Sequence, residues 1–178
     1  MKVFLTLSAC ALALSVSAQT VSRMDNLKPE EKAAATQLKL TGKLSVQGNS
    51  DFRQLRDLCY QLKQVDLSGA DCEVIPNNAF HSRHVLQSIT LPDNLKSIGS
   101  QAFYACTSLT QLTLPKSLTR VGDAAFSSCT ALKEITINGA PSLGEFAFAR
   151  LSHLRTLRVN ADIPPVASAS TFDGINRK

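Results

Sequence analysis

Two adjacent stretches decide the fold: LQSITLPDNLKSIGSQAFYACTS, residues 86–108, and LTQLTLPKSLTRVGDAAFSSCTA, residues 109–131. They match almost position for position at a period of 23 residues. Each reads L-x-x-[IL]-T-L-P, then an apolar residue, then [IV]-G, then A-F-x-x-C. A fixed period of this size, with apolar residues at constant phase, marks stacked units that cannot bury their apolar faces alone. Ile89 and Leu91 alternate with Ser88 and Thr90, and Leu112 and Leu114 with Gln111 and Thr113, so each unit opens on a short strand with one buried side. Pro92 and Pro115 cannot continue a donor ladder and end the strand, and Gly99 and Gly122 are expected to allow a tight turn. Phe103 and Phe126 then fill the space between the strand and the outer wall.

The same phase runs outward with small insertions and deletions. Leu62, Val65, Leu67, Ile75 and Phe80 fit it, as do Leu132, Ile135, Ile137, Leu143, Gly144 and Phe148, and finally Leu154, Leu157, Val159, Val166, Phe172 and Ile175. Leu38 and Leu40 take the strand positions of a degenerate first turn. The expected strands are 38–40, 65–67, 89–91, 112–114, 135–137 and 157–159, all running the same way. The fold expected is α/β: a right-handed repeat solenoid whose six or so short parallel strands form one curved sheet. Its units are 62–85, 86–108, 109–131, 132–153 and 154–178.

Residues 19–61 are expected to supply a spacer and an N-terminal helical cap. Thr20 to Lys28 is polar and reads as an unstructured spacer; Pro29 to Ala35 reads as a short helix with proline in its first turn and acidic residues near its positive end. Leu38, Leu40, Leu44 and Val46 alternate with polar residues, and Gly48-Asn49-Ser50 turns the chain. Asp51 is placed to cap a second helix, with Gln54 three residues on, whose apolar face carries Phe52, Leu55, Leu58, Cys59 and Leu62. Such a helix would cover the open end of the core.

The leader at residues 1–18 differs in kind. Met1-Lys2 is a minimal positive region, Val3 to Val16 is an apolar run lightly broken by Thr and Ser, and Val16-Ser17-Ala18 puts small residues before Gln19. This is the pattern of a secretory signal peptide, too short and wrongly flanked for a spanning helix. The expectation is an exported chain without a transmembrane helix, secreted, held at the cell surface or periplasmic. Leu7-Ser8-Ala9-Cys10 also resembles a lipobox; against lipidation at Cys10, only nine residues precede it and the apolar run continues past it.

Beyond the leader, Cys59, Cys72, Cys106 and Cys129 invite a disulfide reading in an exported chain. The repeat phase argues otherwise. Cys106 and Cys129 are equivalent positions, filled by Leu151 and Ile175 in later units, and a position that accepts Cys, Leu and Ile is an apolar core position. All four are expected to be reduced and buried. The formal charge is +5. Residues 20–95 balance nine basic with nine acidic groups, whereas 96–178 carry nine basic and five acidic ones, so the surplus lies in the later units and suits anionic partners. No nucleic-acid-binding module is present, and an export signal takes the chain away from nucleic acid.

The units LPDNLKSIGSQAFYACTSL and LPKSLTRVGDAAFSSCTAL resemble the leucine-rich repeats of the BspA-like family of bacterial surface proteins. The segments LKLTGKLSVQGNSDFRQLRDLC and LKQVDLSGAD are similar to the N-terminal cap of secreted family members from anaerobic, host-associated bacteria. The resemblance covers about residues 30–175. It implies a surface or secreted binding protein, some relatives adhering to host matrix proteins or to other cells, and it implies no catalytic residues or cofactor. Two departures stand out: Arg83 occupies the phase of Cys106, and the last unit, NADIPPVASASTFDGI, lacks A-F-x-x-C. Lys178 falls where a further unit would open, so Val166, Phe172 and Ile175 are expected to form an uncovered end. A longer parent chain, a second chain or a folded-back tail would cover it.

Catalytic and metal signatures are missing from the sequence. His81 and His84 lie near Arg83 without a third ligand at metal spacing, a zinc site through Cys72 lacks any C-x-x-C or H-E-x-x-H pattern, and no G-x-S-x-G or phosphate-binding loop occurs. Binding surfaces are easier to place. The outward centres of the strands form a column of Lys39, Asp66, Thr90, Thr113, Thr136 and Arg158, flanked by Gln64, Ser88, Gln111, Glu134 and Thr156. Threonine in this column serves strand propensity as well as recognition. The column has no Trp or Tyr, so it lacks sugar-stacking platforms and aromatic hot-spot anchors, and weak or multivalent contact is expected. The candidate binding residues are Lys39, Asp66, Thr90, Thr113, Thr136, Glu134, Arg155 and Arg158, with Arg155 and Arg158 facing an anionic partner. The function expected is non-enzymatic binding to a protein or glycan on a host or neighbouring-cell surface. The alternative is a structural or accessory module of a larger assembly, docked through the C-terminal end.

Overall fold

A computed structural model describes residues 19–47 and 50–175. The expected leader at 1–18 with Cys10, the Gly48-Asn49 part of the expected turn, and Lys178 lie outside the described residues. In chain order the elements are β1 (Gln19–Val21), a 3-10 turn (Met24–Asn26), α1 (Pro29–Ala34), β2 (Gln37–Lys43), α2 (Asp51–Leu58), β3 (Gln64–Asp71), β4 (Val74–Ile75), β5 (Ser88–Thr90), β6 (Ser97–Ile98), β7 (Gln111–Leu114), β8 (Arg120–Val121), β9 (Glu134–Ile137), β10 (Ser142–Leu143) and β11 (Thr156–Val159).

All six expected strand positions carry strands, and every pairing is parallel. The expectation of one curved sheet is corrected. The strand row splits between β5 and β7 into a sheet of order β1-β2-β3-β5 and another of order β11-β9-β7. A third sheet, β10-β8-β6-β4, is built from two-residue strands that each end on a buried apolar residue, Ile75, Ile98, Val121 and Leu143. Proline alone does not account for the split, since Pro92 stands at the same position after β5 and β5 still pairs with β3. Asn138 N–H donates to the Leu114 carbonyl at 3.1 Å and Asn160 N–H to Ile137 at 2.9 Å, closing each rung at the strand end. Pro115 holds the equivalent position after β7 and has no N–H to give Leu91.

Inside the stack a phenylalanine ladder runs from Phe80 through Phe103, Phe126 and Phe148 to Phe172. Ring centroids lie 5.0, 5.0, 5.4 and 5.4 Å apart, with planes within 15° of parallel. The backbone beside it is the outer wall. Gln101, Phe103 and Ala105 donate their N–H groups forward to the carbonyls of Asp123, Ala125 and Ser127, and the flanking units repeat the pattern. Aiming alternate N–H groups along the stack puts Asn78, Gln101, Ala124 and Phe146, and likewise Ser82, Ala105, Ser128 and Arg150, at φ of 52–62°. This left-handed conformation costs non-glycine residues on the order of 1 kcal/mol each, offset by the ladder bonds.

Gly99 and Gly122 have a different reason from the expected turn. Neither lies at positive φ; a Cβ on Gly99 would come within 2.5 Å of the Asn77 backbone nitrogen, and one on Gly122 within 2.5 Å of that of Ser100. The glycines let successive turns stack in contact. The four cysteines are free and buried, and Cys106 and Cys129 donate their thiols to the Phe80 and Phe103 carbonyls, both at 3.1 Å. Arg83, in the phase of Cys106, instead donates to the Arg56 carbonyl near the end of α2.

Corrections gather at the two ends. Thr20 to Lys28 is not an unstructured spacer: β1 pairs with β2, and Met24 is fully buried. No clear helical cap forms; the end comprises edge strand β1 and two short helices of six and eight residues. Ser50, not Asp51, caps α2, its hydroxyl accepting from Arg53 N–H at 3.1 Å. Asp51 is buried and accepts from Met24 N–H at 2.7 Å and Ser45 N–H at 2.8 Å, which fastens the 3-10 turn and the exit of β2 to the helix. Phe52, Leu55, Cys59 and Leu62 are buried as expected, whereas Leu58 is exposed. In the last unit Leu157 and Val159, expected on the inward face, are exposed because β11 is the outer strand of its sheet, and Val166, expected at the uncovered end, is exposed there.

Candidate binding surface

Strand register assembles the expected column in two halves. Lys39, Asp66 and Thr90 stand side by side across β2, β3 and β5, and Thr113, Thr136 and Arg158 across β7, β9 and β11. The charged members are engaged with their neighbours. Lys39 Nζ lies 3.1 Å from Asp66 Oδ2, and Arg158 Nη1 lies 3.8 Å from Glu134 Oε2. Burial pushes the Asp66 carboxyl up, but hydrogen bonds from the Ser68 hydroxyl and N–H, with the bond and charge of Lys39, outweigh it and leave the group below its ordinary value. Both pairs are solvent-exposed and contribute about 0–1 kcal/mol each. What they fix is pattern: charge at the two ends of the column and an uncharged hydroxyl row between.

Arg155 lies outside the column, at the entrance of β11. Its N–H donates to the Lys133 carbonyl at 2.9 Å, and Lys133 N–H to Thr110 at 2.9 Å, so Lys133 and Arg155 are stacked neighbours. Both are exposed, and with Arg158 they make the basic corner of this face. Lys133 was not singled out from the sequence; aligning the residue before each strand would have found it.

At the split between β5 and β7 lies a cleft of about 380 Å³ lined by Ser88, Ile89, Thr90, Leu91, Asp93, Gln111, Thr113, Pro115 and Asn138. Ile89 is only partly buried there, whereas its equivalents Val65, Leu112 and Ile135 are closed off. The sequence did not point to this cleft. Proline at 115 is no signal for it, because Pro92 sits at the same place one unit earlier, where β3 and β5 stay paired.

The histidines do other work. The His81 ring stacks on Tyr104 at 5.1 Å, His84 lies 3.4 Å from the Thr107 hydroxyl, and His153 Nδ1 lies 2.7 Å from the Thr130 carbonyl oxygen. Among the described residues no group of three or more His, Cys, Asp or Glu is placed to hold a metal ion, and no helix is long and apolar enough to cross a membrane.

The family model described as a BspA type leucine rich repeat region matches residues 48–175, in six copies. Among solved structures, the chain is similar to a leucine rich repeat protein of T. pallidum, at 27% identity and TM-score 0.57, over 71% of this chain and 57% of that one. It is also similar to a leucine-rich repeat protein from Bacteroides ovatus, at 25% identity and TM-score 0.51, over 70% of this chain and 32% of that one. The chain thus spans less than two thirds of either relative. No curated protein matches it. The repeat architecture is the one these leucine-rich-repeat proteins share.

Proposed function

Because this chain belongs to the BspA-type leucine-rich-repeat family, we propose that it is an exported binding protein that adheres to anionic macromolecules, protein or glycan, on a host or neighbouring-cell surface. Residues 1–18 are its secretory leader, 19–61 its N-terminal region and 62–178 its repeats. The mature protein is secreted or held at the surface, with a periplasmic location or a lipid on Cys10 as the variants to be tested. The single observation that supports this reading is the basic corner of exposed Lys133, Arg155 and Arg158 at the β11 end, where Lys133 and Arg155 stack as backbone neighbours and Arg158 pairs with Glu134. Lys39, Asp66, Thr90, Thr113 and Thr136 make up the rest of the contact face, and weak contacts add through multivalency.

Binding to immobilised heparin across a salt series tests it. Arg155→Glu with Arg158→Glu should lower affinity at least about tenfold at low salt and flatten the salt dependence, since each reversal replaces an attraction by a repulsion. Unchanged binding and slope would remove the basic corner from the function.

A second reading is favoured by one observation: Leu157, Val159, Ile163 and Val166 lie exposed at the β11 end. On that reading the chain is an accessory module of a larger surface assembly and docks through this end.

A further inference from the structure

We propose that the cleft between β5 and β7 is a binding subsite for an uncharged saccharide. This goes beyond the anionic-partner reading and stands on different residues.

The cleft lies where strand pairing lapses, between β5 and β7. The Leu91 carbonyl accepts no backbone hydrogen bond among the described residues, since Pro115 stands where Asn138 and Asn160 donate in the following turns. A free acceptor thus faces a gap that also uncovers part of Ile89. Around it stand Ser88, Thr90, Gln111 and Thr113, all exposed on the strand face, with Asp93 and Asn138 at the rim. Asn138 Oδ1 is taken by Asn160 Nδ2 at 2.9 Å, which leaves the Asn138 amide hydrogens for a ligand.

This donor and acceptor set matches sugar hydroxyls, each of which both donates and accepts. Side-chain hydroxyls and amides answer in both senses, and the Leu91 carbonyl and Asp93 carboxylate accept. The nearest cations of the column, Lys39 and Arg158, are turned to Asp66 and Glu134, so the one charge lining the cleft is the negative Asp93. A sulfated or uronic sugar would meet repulsion there. An extended peptide strand inserted here would have to hold its neighbours about 9–10 Å apart, two strand spacings, whereas Cα atoms of β5 and β7 come within 8 Å of each other. The partly exposed Ile89 side chain is the apolar surface open to the C–H face of a ring, with Leu91 and Pro115 buried behind it. A volume of about 380 Å³ is at the small end for ligand sites, which run from about 300 to 1,000 Å³. Affinity for one short saccharide should therefore be millimolar.

Titration of the isotope-labelled protein with cellotetraose and maltotetraose, followed by amide chemical shifts, tests this. The controls are a heparin tetrasaccharide and an uncharged peptide of alternating valine and serine. The expected result is saturable shifts at 88–93, 111–114 and Asn138 with at least one neutral saccharide. Gln111→Ala with Thr113→Val should weaken binding at least about fivefold, the loss of one or two hydrogen bonds. Should that variant melt early, the exposed Asp93→Ala is read instead, with the same expectation. Arg155→Glu with Arg158→Glu should leave the shifts unchanged, which separates this subsite from the basic corner. No shift at about 50 mM saccharide, well above a millimolar dissociation constant, would overturn the proposal. So would shifts elsewhere only, cleft shifts from heparin or peptide alone, or undiminished binding by the variants.

Discussion

The two ends of the stack are closed to different degrees. At the N-terminal end a buried polar set holds the chain in place. Asp51, 1% exposed, accepts from Met24 and Ser45; Lys32 Nζ donates to Gln54 Oε1 at 2.7 Å, and Gln54 Nε2 donates to Asp25 Oδ1 at 2.8 Å. Phe52 meets the first ring of the ladder, Phe80, edge-on at 6.1 Å, so the stack begins against a differently oriented ring. At the β11 end the buried polar tie is smaller: the Thr171 hydroxyl accepts from Ser168 N–H at 3.0 Å and donates to the Gly144 carbonyl at 3.2 Å, while Leu157 at 44% and Val166 at 71% exposure face outward. Stacked copies of one unit carry no information about where to stop. Closing an end takes residues that depart from the repeat, and hydrogen-bonded polar groups do so with a fixed geometry that apolar contact lacks.

The largest expected effect comes from breaking the closed end. Asp51→Ala strands the Met24 and Ser45 N–H groups, the first buried and the second partly so. Urea unfolding should show a loss of about 2–5 kcal/mol, from two donors at roughly 1–3 kcal/mol each. A loss under about 1 kcal/mol would mean that water replaces the carboxylate and that the end is not closed by it.

The same contrast explains what was legible in the sequence. Phase alone located the six strand positions, the phenylalanine ladder and the buried cysteines, because a period of about 23 residues repeats the environment of each position. It did not locate Asp51 as a tie, because Asp51 acts on Met24, 27 residues away and outside the repeat. Local pattern read it as a helix cap, the use a carboxylate has before an apolar helix face. The third sheet went unread because two-residue strands are too short to show alternation. The cleft went unread because nothing in the motif separates Pro115, beside the split, from Pro92, beside an intact pairing.

Cysteine chemistry sharpens the contrast between ends. Cys59 belongs to the closed end, and burial pushes its thiol up to about 11; burial pushes Cys106 up to about 12 and Cys129 well above the ordinary 9.0. A folded pKa above the unfolded one makes the neutral thiol part of the stability. That contribution is whole below pH 9 and is lost as pH rises toward 11 and beyond, as the unfolded chain ionises first. Stability should therefore decline from about pH 9 upward, by up to roughly 1.4 kcal/mol per pH unit for each such thiol. Replacing Cys59 with alanine should shallow that decline. A thiol reagent at neutral pH should leave Cys59 as unreactive as Cys106 and Cys129 in the native protein. Fast labelling of Cys59 alone would show that the N-terminal end opens as readily as the other.

The smallest effect is expected at the β11 end. Val166 is joined to the stack through its backbone, its carbonyl accepting from Leu143 N–H at 2.7 Å and its N–H donating to Pro141 at 3.2 Å, while its side chain and that of Ile163 face outward at 71% exposure each. Ile163→Ser and Val166→Ser leave those backbone bonds intact and remove only exposed apolar surface, so each should change unfolding free energy by less than about 0.5 kcal/mol. The measurement is informative in either direction. A small change that also raises solubility agrees with an uncovered end. A loss above about 1 kcal/mol that grows with protein concentration would mean that a second copy covers these side chains, because a contact between copies contributes to stability by mass action and one within a single chain does not.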